Sequence, residues 1–183
     1  MSLTYSSMLP LGTKLIAFEL IDAVSEKNFS SDGFEISKPI LIMFICNHCP
    51  YVIHYHSEIQ RISQDYKDQI NMVAISSNDV DNYPQDGPQQ MQDLWEDLGI
   101  SFPYLFDETQ MVAKAYKAEC TPEFYLFDVN RKLVYRGRLD ESSPNSTTLP
   151  SGKDLRDAIE NLFNGREISL EQFPSMGCNI KWK

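Results

Sequence analysis

Alternating runs of apolar and polar residues predict the main elements of the chain. Residues 39–45 form a continuous apolar run rich in Ile, which is typical of a strand covered on both faces, and the mainly apolar residues 70–76 predict a second buried strand. After the first run, apolar residues recur at spacings of three and four, and this stripe predicts a helix that begins near Pro50. The pattern therefore places a strand–turn–helix unit in the first third of the chain.

Weaker patterns predict the remaining elements. We expect further strands and helices at residues 14–20 (a strand returning as a hairpin by residue 31), 88–98, 109–116 (capped by Thr109), 124–128, 132–136 and 154–163. Residues 166–183 lack periodicity and are predicted to be an irregular tail. Strands alternating with helices, then a hairpin and a helix, indicate an α/β fold with a central mixed sheet flanked by helices. We expect one domain over residues 1–183, with residues 1–38 as its N-terminal hairpin extension.

Charge and hydropathy exclude several classes of function. The net charge is −10, and the chain lacks the Lys and Arg clusters that hold nucleic acids or anionic membranes. The first residues lack the basic start and apolar run of a signal peptide, and the longest apolar run is too short to span a bilayer. We therefore expect a cytoplasmic protein with neither a nucleic-acid nor a membrane partner, in a compartment that keeps thiols reduced.

Four cysteines carry the candidate chemistry: Cys46, Cys49, Cys120 and Cys178. Each is either a small buried residue or a reactive thiol. Cys49 directly precedes the predicted helix, where unpaired N–H groups and the helix dipole stabilise a thiolate, although burial would oppose this effect. His48 beside it could add positive charge or accept a proton. Cys49 is therefore the predicted nucleophile, and no cofactor is expected.

Two motifs resemble a known family. Residues 44–52, Phe-Ile-Cys-Asn-His-Cys-Pro-Tyr-Val, resemble the active-site segment of the thioredoxin family, and Thr121-Pro122 resembles the start of its Thr-Pro strand. From end to end, the chain is similar to bacterial peroxiredoxin-like proteins of the thioredoxin-like superfamily, related to alkyl hydroperoxide reductase and thiol-specific antioxidant. The resemblance implies a thioredoxin-like fold, a cis Thr121–Pro122 bond beside the nucleophile, and a thiol-disulfide oxidoreductase with an antioxidant role. It also implies a protein or small-molecule disulfide or peroxide as substrate and a thiol electron donor, and it leaves a homodimer open.

The position that holds the resolving thiol in thioredoxins is not a cysteine in this chain. Thioredoxins carry that thiol three residues after the nucleophile, where this chain has Val52. Cys46 is our first candidate, provided that the chain turns at Asn47-His48, because a disulfide needs Cα atoms about 4.4–6.8 Å apart. Cys120, two residues before the Thr-Pro proline, is the second candidate, and Cys178 on the tail is the third.

A weak thiol-dependent peroxidase is one alternative. The peroxiredoxin motif before the helix is Pro-x-x-x-Thr/Ser-x-x-Cys. In this chain, Ile42 and Cys46 occupy the Pro and Thr positions of that motif. Arg136 or Arg138 could polarise a peroxide, and the sequence places neither beside Cys49. The group that would stabilise the developing charge is therefore not identified.

A copper- or zinc-binding metallochaperone-like module is the other alternative. Both metals accept thiolate and imidazole ligands, which this region supplies in Cys46, His48, Cys49, His54 and His56. However, His54 and His56 are two positions apart on the predicted helix and face different directions, so we assign no metal ligand. The loop carboxylates Asp79, Asp81 and Asp86 are interpreted as solvated side chains rather than as the lining of a substrate groove.

Overall fold

A mixed sheet of seven strands forms the centre of the computed structural model, which describes residues 3–183. The strands of the described chain are β1 (Leu3–Tyr5), β2 (Glu19–Asp22), β3 (Asn28–Ser30), β4 (Ile40–Phe44), β5 (Asn71–Ser76), β6 (Tyr104–Phe106), β7 (Cys120–Thr121), β8 (Glu123–Phe127), β9 (Leu133–Gly137) and β10 (Met176–Asn179). The central sheet has the order β3-β2-β6-β5-β4-β8-β9, with β4, β5 and β6 parallel and the outer pairs antiparallel. This arrangement is the predicted mixed α/β sheet.

A smaller antiparallel sheet joins the two ends of the chain. Its order within residues 3–183 is β1-β10-β7, so β10 lies between the N-terminal strand and the strand that precedes Pro122. This sheet brings the C-terminal segment beside the Thr-Pro peptide.

Helices cover the central sheet. The α-helices of the described chain are α1 (Pro50–Asp65), α2 (Pro88–Leu98), α3 (Met111–Ala115) and α4 (Lys153–Phe163), and short 3-10 turns occupy Ser31–Gly33 and Pro84–Asp86. Between residues 3 and 183, each helix is too short or too polar to cross a bilayer.

Apolar clusters pack against both faces of β4, which explains its continuous apolar sequence. Leu41 and Met43 pack with Val52 of α1 on one face. Ile40 and Ile42 pack on the other face, in a separate cluster. Since every residue of β4 is buried, the strand is a rigid support for the loop that follows it.

The structure confirms most predicted elements and corrects three. The predicted strand at residues 14–20 is wrong: the hairpin begins at β2, and Lys14 forms only an isolated bridge with Lys132. Helix α3 is capped by Gln110 rather than Thr109, because the Asp107 carboxylate accepts the N–H of Ala113 at 2.9 Å. The tail is not irregular throughout, since it contains β10.

Candidate active site

The junction between β4 and α1 positions Cys49. Cys49 is the N-cap of α1, with extended φ and ψ of −71° and 121°, and Pro50 fills the first helical turn. Its carbonyl accepts the N–H groups of Val52 and Ile53, both at 2.9 Å. The chain bends at Asn47 and His48, so Cys46 and Cys49 are not joined by an extended strand. A bend of this kind is a condition for a Cys46–Cys49 disulfide, whose pairing stays a prediction.

Thr121 brings two of the thiols together. The Cys49 sulfur donates to the Thr121 carbonyl oxygen at 3.2 Å, and the Cys46 sulfur lies 3.3 Å from the Thr121 hydroxyl. The Thr121–Pro122 peptide bond is cis, which confirms the expectation from the family resemblance. Both sulfurs are buried, beside the apolar cluster between the sheet and α1.

Cys178 is the third thiol of the site. In the β10–β7 pair it stands directly opposite Thr121, and its thiol donates a hydrogen bond to the Cys49 sulfur. The neighbouring Gly177 permits this approach, because a Cβ there would lie 2.0 Å from the Thr121 carbonyl oxygen. Local periodicity offers no signal for this pairing, since β10 is defined by distant strands.

The surrounding hydrogen bonds make Cys49 the acidic thiol. The pKa of Cys49 is lowered to about 5, first by the Cys46 thiol donating to its sulfur and then, against desolvation, by the Cys178 thiol and the backbone N–H of Val52. Donation to Cys49, together with burial, raises the pKa of Cys46. Burial, followed by donation to Cys49, raises the pKa of Cys178 to about 12. These shifts favour loss of the proton from Cys49 before Cys46 or Cys178.

The start of α1 contributes less to the lowered pKa of Cys49 than the sequence suggested. The Val52 amide contributes to the lowered pKa of Cys49, but the Cys46 thiol contributes more. The sequence thus points to Cys49 as the candidate nucleophile, whereas the thiol donors that contribute most to its lowered pKa emerge only from the fold.

A buried carboxylate organises the turn between the two cysteines. Asp86 is fully buried, and its carboxylate accepts the backbone N–H groups of Asn47 and His48 at 2.8 and 3.2 Å. It also accepts the Asn78 amide at 2.8 Å and lies 2.6 Å from the His48 Nδ1. The interpretation of Asp86 as a solvated loop side chain is therefore wrong. The 3-10 turn at Pro84–Asp86 folds this carboxylate inward, an effect that no local pattern predicts.

The other two loop carboxylates differ from Asp86. Asp81 is exposed, as expected. Asp79 is buried and accepts the Asn82 side-chain amide and the Asp81 N–H, so the expectation of a solvated side chain is wrong for it as well. Both of these contacts stay within the loop, so Asp79 shapes the loop rather than the cysteine turn.

Cys120 lies in a different environment from the other thiols. Its sulfur is 4.0 Å from the Glu123 carboxylate and 3.9 Å from the Ser175 carbonyl oxygen. Burial, followed by the charge of Glu123, raises the pKa of Cys120. Glu123 is itself buried, and burial raises its pKa to about 7. This environment makes the Cys120 thiol a poor nucleophile. A resolving role for Cys120 stays a prediction.

Potential metal ligands gather around the cysteine turn. In the part of the chain that the structure describes, the donor atoms of Cys46, His48 and Asp86 lie within 4.8 Å of one another. His54 and His56 do not join this group of described residues: the His54 ring hydrogen-bonds to Ser142 at 2.9 Å, and burial lowers the pKa of His56.

The candidate arginines are engaged in packing contacts. Arg136 donates to the Gln172 side chain at 2.7 Å and to the Leu9 carbonyl at 3.0 Å. Arg138 pairs with Asp154 at 2.6 Å and lies over the Phe173 ring. Both guanidinium groups therefore already have partners within the protein.

An open cavity of about 310 Å³ lies over the outer side of the site. Pro50, Tyr51 and Cys178 line it, together with Leu3. A substrate in this cavity would meet the start of α1 and the β10 thiol first.

Fold and site together define a thioredoxin-like protein with thiols at a strand–helix junction beside a cis Thr-Pro bond. The structure of a secreted Mycobacterium tuberculosis disulfide oxidoreductase has this fold, with a TM-score of 0.58 and 18% identity over 79% of this chain and 96% of that one. The chain belongs to the Redoxin family, which matches residues 10–153.

Two further relatives are similar to this chain. An uncharacterized conserved protein from Geobacillus kaustophilus is 45% identical, with a TM-score of 0.97 over 100% of this chain and 97% of that one. The thiol-disulfide oxidoreductase YkuV of Bacillus subtilis is 26% identical over 100 residues. That match covers 52% of this chain and 64% of the relative, so it spans less than two thirds of the curated protein.

Proposed function

We propose that this protein is a thiol-disulfide oxidoreductase in which Cys49 is the nucleophile and Cys46 the resolving thiol. The observation that carries the proposal is the place of the Cys49 sulfur at the start of α1, 3.2 Å from the carbonyl oxygen of the cis Thr121–Pro122 peptide, with the Cys46 sulfur 3.3 Å from the hydroxyl of the same threonine. Hydrogen bonds from the neighbouring thiols lower the pKa of Cys49 to about 5, which favours its thiolate. A thiolate is the form that attacks disulfides. The Redoxin family and the activity named for the Bacillus subtilis relative support this class of reaction.

The exchange proceeds in two steps. The Cys49 thiolate attacks one sulfur of the substrate disulfide, forms a mixed disulfide and releases the first substrate thiolate, which takes a proton. Cys46 then loses its proton and attacks the Cys49 sulfur, which releases the second substrate thiol and leaves a Cys46–Cys49 disulfide. The substrate gains two electrons and two protons in total, and a thiol donor later reduces the protein disulfide.

Cys46 is proposed over the other thiols because of its place in the turn. The Cys46 sulfur contacts the hydroxyl of Thr121, and the carbonyl oxygen of the same residue accepts from Cys49. Cys46 also lowers the pKa of Cys49 more than Cys178 does. Cys178 is the alternative resolving thiol, since it also donates to Cys49. Pro50, Thr121 and Pro122 have supporting roles in shaping the site.

Metal binding is the second candidate function. The close approach of donor atoms from Cys46, His48 and Asp86 favours it. Soft thiolate with imidazole suits zinc or copper, although the Asp86 carboxylate is already occupied by hydrogen bonds. Protein purified without chelator and analysed for metal separates the two functions: metal-free protein that binds neither zinc nor copper(I) would remove this candidate.

The proposed setting is a reducing compartment such as the cytoplasm, where a thiol donor regenerates the two cysteines. Peroxide reduction stays an untested alternative, in which the Cys49 thiolate would become a sulfenic acid that a second thiol resolves. Thiol-coupled consumption of peroxide would reveal it.

Reduction of insulin disulfides with dithiothreitol as donor tests the proposal. Cys49→Ser should lose the activity, and Cys46→Ser should lose turnover while it accumulates a mixed disulfide on Cys49. Cys120→Ser is the matched control, because Cys120 contacts Glu123 and is expected to leave turnover intact. Activity retained by Cys49→Ser would overturn the proposal.

A further inference from the structure

The cavity lined by Leu3, Pro50, Tyr51 and Cys178 opens onto a thiol of the site. Its volume is about 310 Å³, and β1, the start of α1, the segment at residues 144–145 and β10 all contribute to its lining. Ligand pockets start at about 300 Å³, so this cavity has room for a few side chains rather than for a folded domain. Its occupant is therefore a small molecule or a short stretch of polypeptide.

Cys178 separates this cavity from the proposed nucleophile. Cys49 is 0% exposed, whereas Cys178 lines the cavity and donates its thiol hydrogen to the Cys49 sulfur. A disulfide in the cavity is therefore one side chain away from Cys49. Rotation about the Cα–Cβ bond of Cys178 moves its sulfur without moving β10, and a substrate sulfur can then take its place beside Cys49.

The walls of the cavity are mainly apolar. Leu3, Pro50, Tyr51 and Pro144 line it with aliphatic or aromatic side chains, Asn145 adds an amide, and none of the described residues of the lining is charged. A charged group that entered would lose its hydration without gaining an ionic partner, whereas an apolar side chain would release water from both surfaces. The lining therefore favours an apolar occupant.

Leu3 lies beside the thiol that lines the cavity. In the β1–β10 pair it stands directly opposite Cys178, so the two side chains are cross-strand neighbours on the same face of the small sheet. Leu3 is nevertheless 53% exposed, and Tyr5, the next residue on that face of β1, is 57% exposed. Apolar groups exposed together beside a cavity are typical of a binding site.

Tyr51 connects the cavity with the two sulfurs. It lies in the first turn of α1, is half-buried and packs against the apolar cluster between the helix and the sheet. Burial raises the pKa of Tyr51, and the charges of Cys178 and Cys49 raise it further, because its hydroxyl lies near both sulfurs. A tyrosine ring provides a large contact area for a bound side chain at a small loss of conformational entropy.

We propose that this cavity binds the apolar side chain next to the substrate half-cystine, with Leu3 and Tyr51 as the residues that determine specificity. This assignment rests on the proposed function and deepens it by naming the substrate class, which is cystines with apolar neighbours in flexible polypeptide segments. With that side chain between Leu3 and Tyr51, the half-cystine lies beside Cys178. The Cys49 thiolate attacks its sulfur, the substrate disulfide bond breaks, and the second substrate sulfur leaves as a thiolate that takes a proton.

Disulfide peptides that differ only in the residues flanking one half-cystine test the proposal. The flanking residues are Phe, Gly or Asp, and pre-reduced protein, freed of its reductant, is mixed with each peptide to measure the second-order rate constant of peptide reduction. The Phe peptide should react at least about tenfold faster than the Gly peptide, and the Asp peptide should be the slowest. Tyr51→Ala and Leu3→Ala should each lower the Phe-to-Gly ratio at least about threefold, while the rate for the Gly peptide changes less than about twofold.

Ile53→Ala is the matched control. Ile53 is also on α1 and is 51% exposed, but it lies outside the cavity lining, two positions from Tyr51 and so on another side of the helix. This substitution should leave the Phe-to-Gly ratio unchanged. Circular dichroism establishes that each variant is folded, and Tyr51→Ala decides the outcome if Leu3→Ala does not fold.

The outcomes separate this inference from the proposed function. Equal rates for the Phe and Gly peptides in the parent would overturn the inference and leave the proposed function standing. A Phe-to-Gly ratio in folded Tyr51→Ala equal to that of the parent would do the same, because any loss of rate would then be independent of the flanking side chain. Failure of the parent to reduce the peptides and insulin would overturn the proposed function itself.

Discussion

The sulfur of Cys49 and the carbonyl oxygen of Thr121 lie 3.2 Å apart, which places the proposed nucleophile against the cis Thr-Pro peptide. As a thiol, Cys49 donates to that oxygen. As a thiolate, it accepts from the thiols of Cys46 and Cys178 and from the Val52 N–H. One buried sulfur thus has a partner in each protonation state, as the proposed exchange chemistry requires.

Removal of the thiol donors should make Cys49 less acidic. Hydrogen bonds to a charged group contribute about 1.5–3 kcal/mol, so Cys178→Ala should raise the pKa of Cys49 from about 5 by about one to two, and Cys46→Ala should raise it further. Ultraviolet absorbance of the thiolate, followed against pH, measures the change. Cys120→Ala is the control and should leave the titration in place. Equal curves for all three variants would show that thiol donors do not set the acidity.

The β10 strand should depend on the absence of a side chain at residue 177. Gly177→Ala places a Cβ 2.0 Å from the Thr121 carbonyl oxygen, which is backbone, so β10 must move away from β7. We expect a loss of about 1–3 kcal/mol in the free energy of unfolding and a weaker contact between Cys178 and Cys49. Chemical denaturation measures the first effect, and the Cys49 titration measures the second.

Gly33→Ala provides the matched control for this prediction. Gly33 has open space around its Cβ direction, so the substitution should change stability by less than about 0.5 kcal/mol. If Gly177→Ala is as mild as Gly33→Ala, the close packing of β10 on Thr121 is incorrect.

The buried Glu123 should make stability depend on pH. Its pKa is raised by burial from 4.5 to about 7, so the folded state holds the proton more tightly than the unfolded state does. The resulting stability, about 3 kcal/mol, is complete below pH 4.5 and is lost as pH rises through 7. Glu123→Gln should therefore be more stable than the parent at pH 8 and similar to it near pH 4.

Thermal or chemical unfolding across this pH range checks the Glu123 prediction. Glu108→Gln, at an exposed position, is the control and should follow the parent. A difference between Glu123→Gln and the parent that is the same at pH 4 and pH 8 would exclude titration of Glu123 as the cause.

The sequence predicts those parts of the site that local patterns define. The apolar run of β4, the helical stripe after Pro50 and the position of Cys49 between them are all read from neighbouring residues, and the structure confirms them. Cys178 could not be placed beside Cys49 by the same reasoning, because β10 is held by partners more than fifty residues away in the chain. The burial of Asp86 could not be predicted either, because the 3-10 turn that folds its carboxylate inward lies in a polar loop without a local pattern.

The predicted boundaries of elements with a weak sequence pattern are wrong for a related reason. Helix α3 begins after Gln110 because Asp107, which lies outside the apolar stripe, accepts the N–H of Ala113. Strand β2 is displaced from its predicted position because its pairing with β3 and β6, rather than its own alternation, decides which residues extend. Local preference gives way to long-range pairing where the local signal is weak.

Peptide mapping by mass spectrometry after one equivalent of a mild oxidant tests the central claim most directly. The account predicts a disulfide between Cys46 and Cys49, with Cys120 still a free thiol. A protein whose Cys49 remains reduced while other cysteines pair would contradict the account, because the most acidic thiol of the chain would then take no part in its redox chemistry.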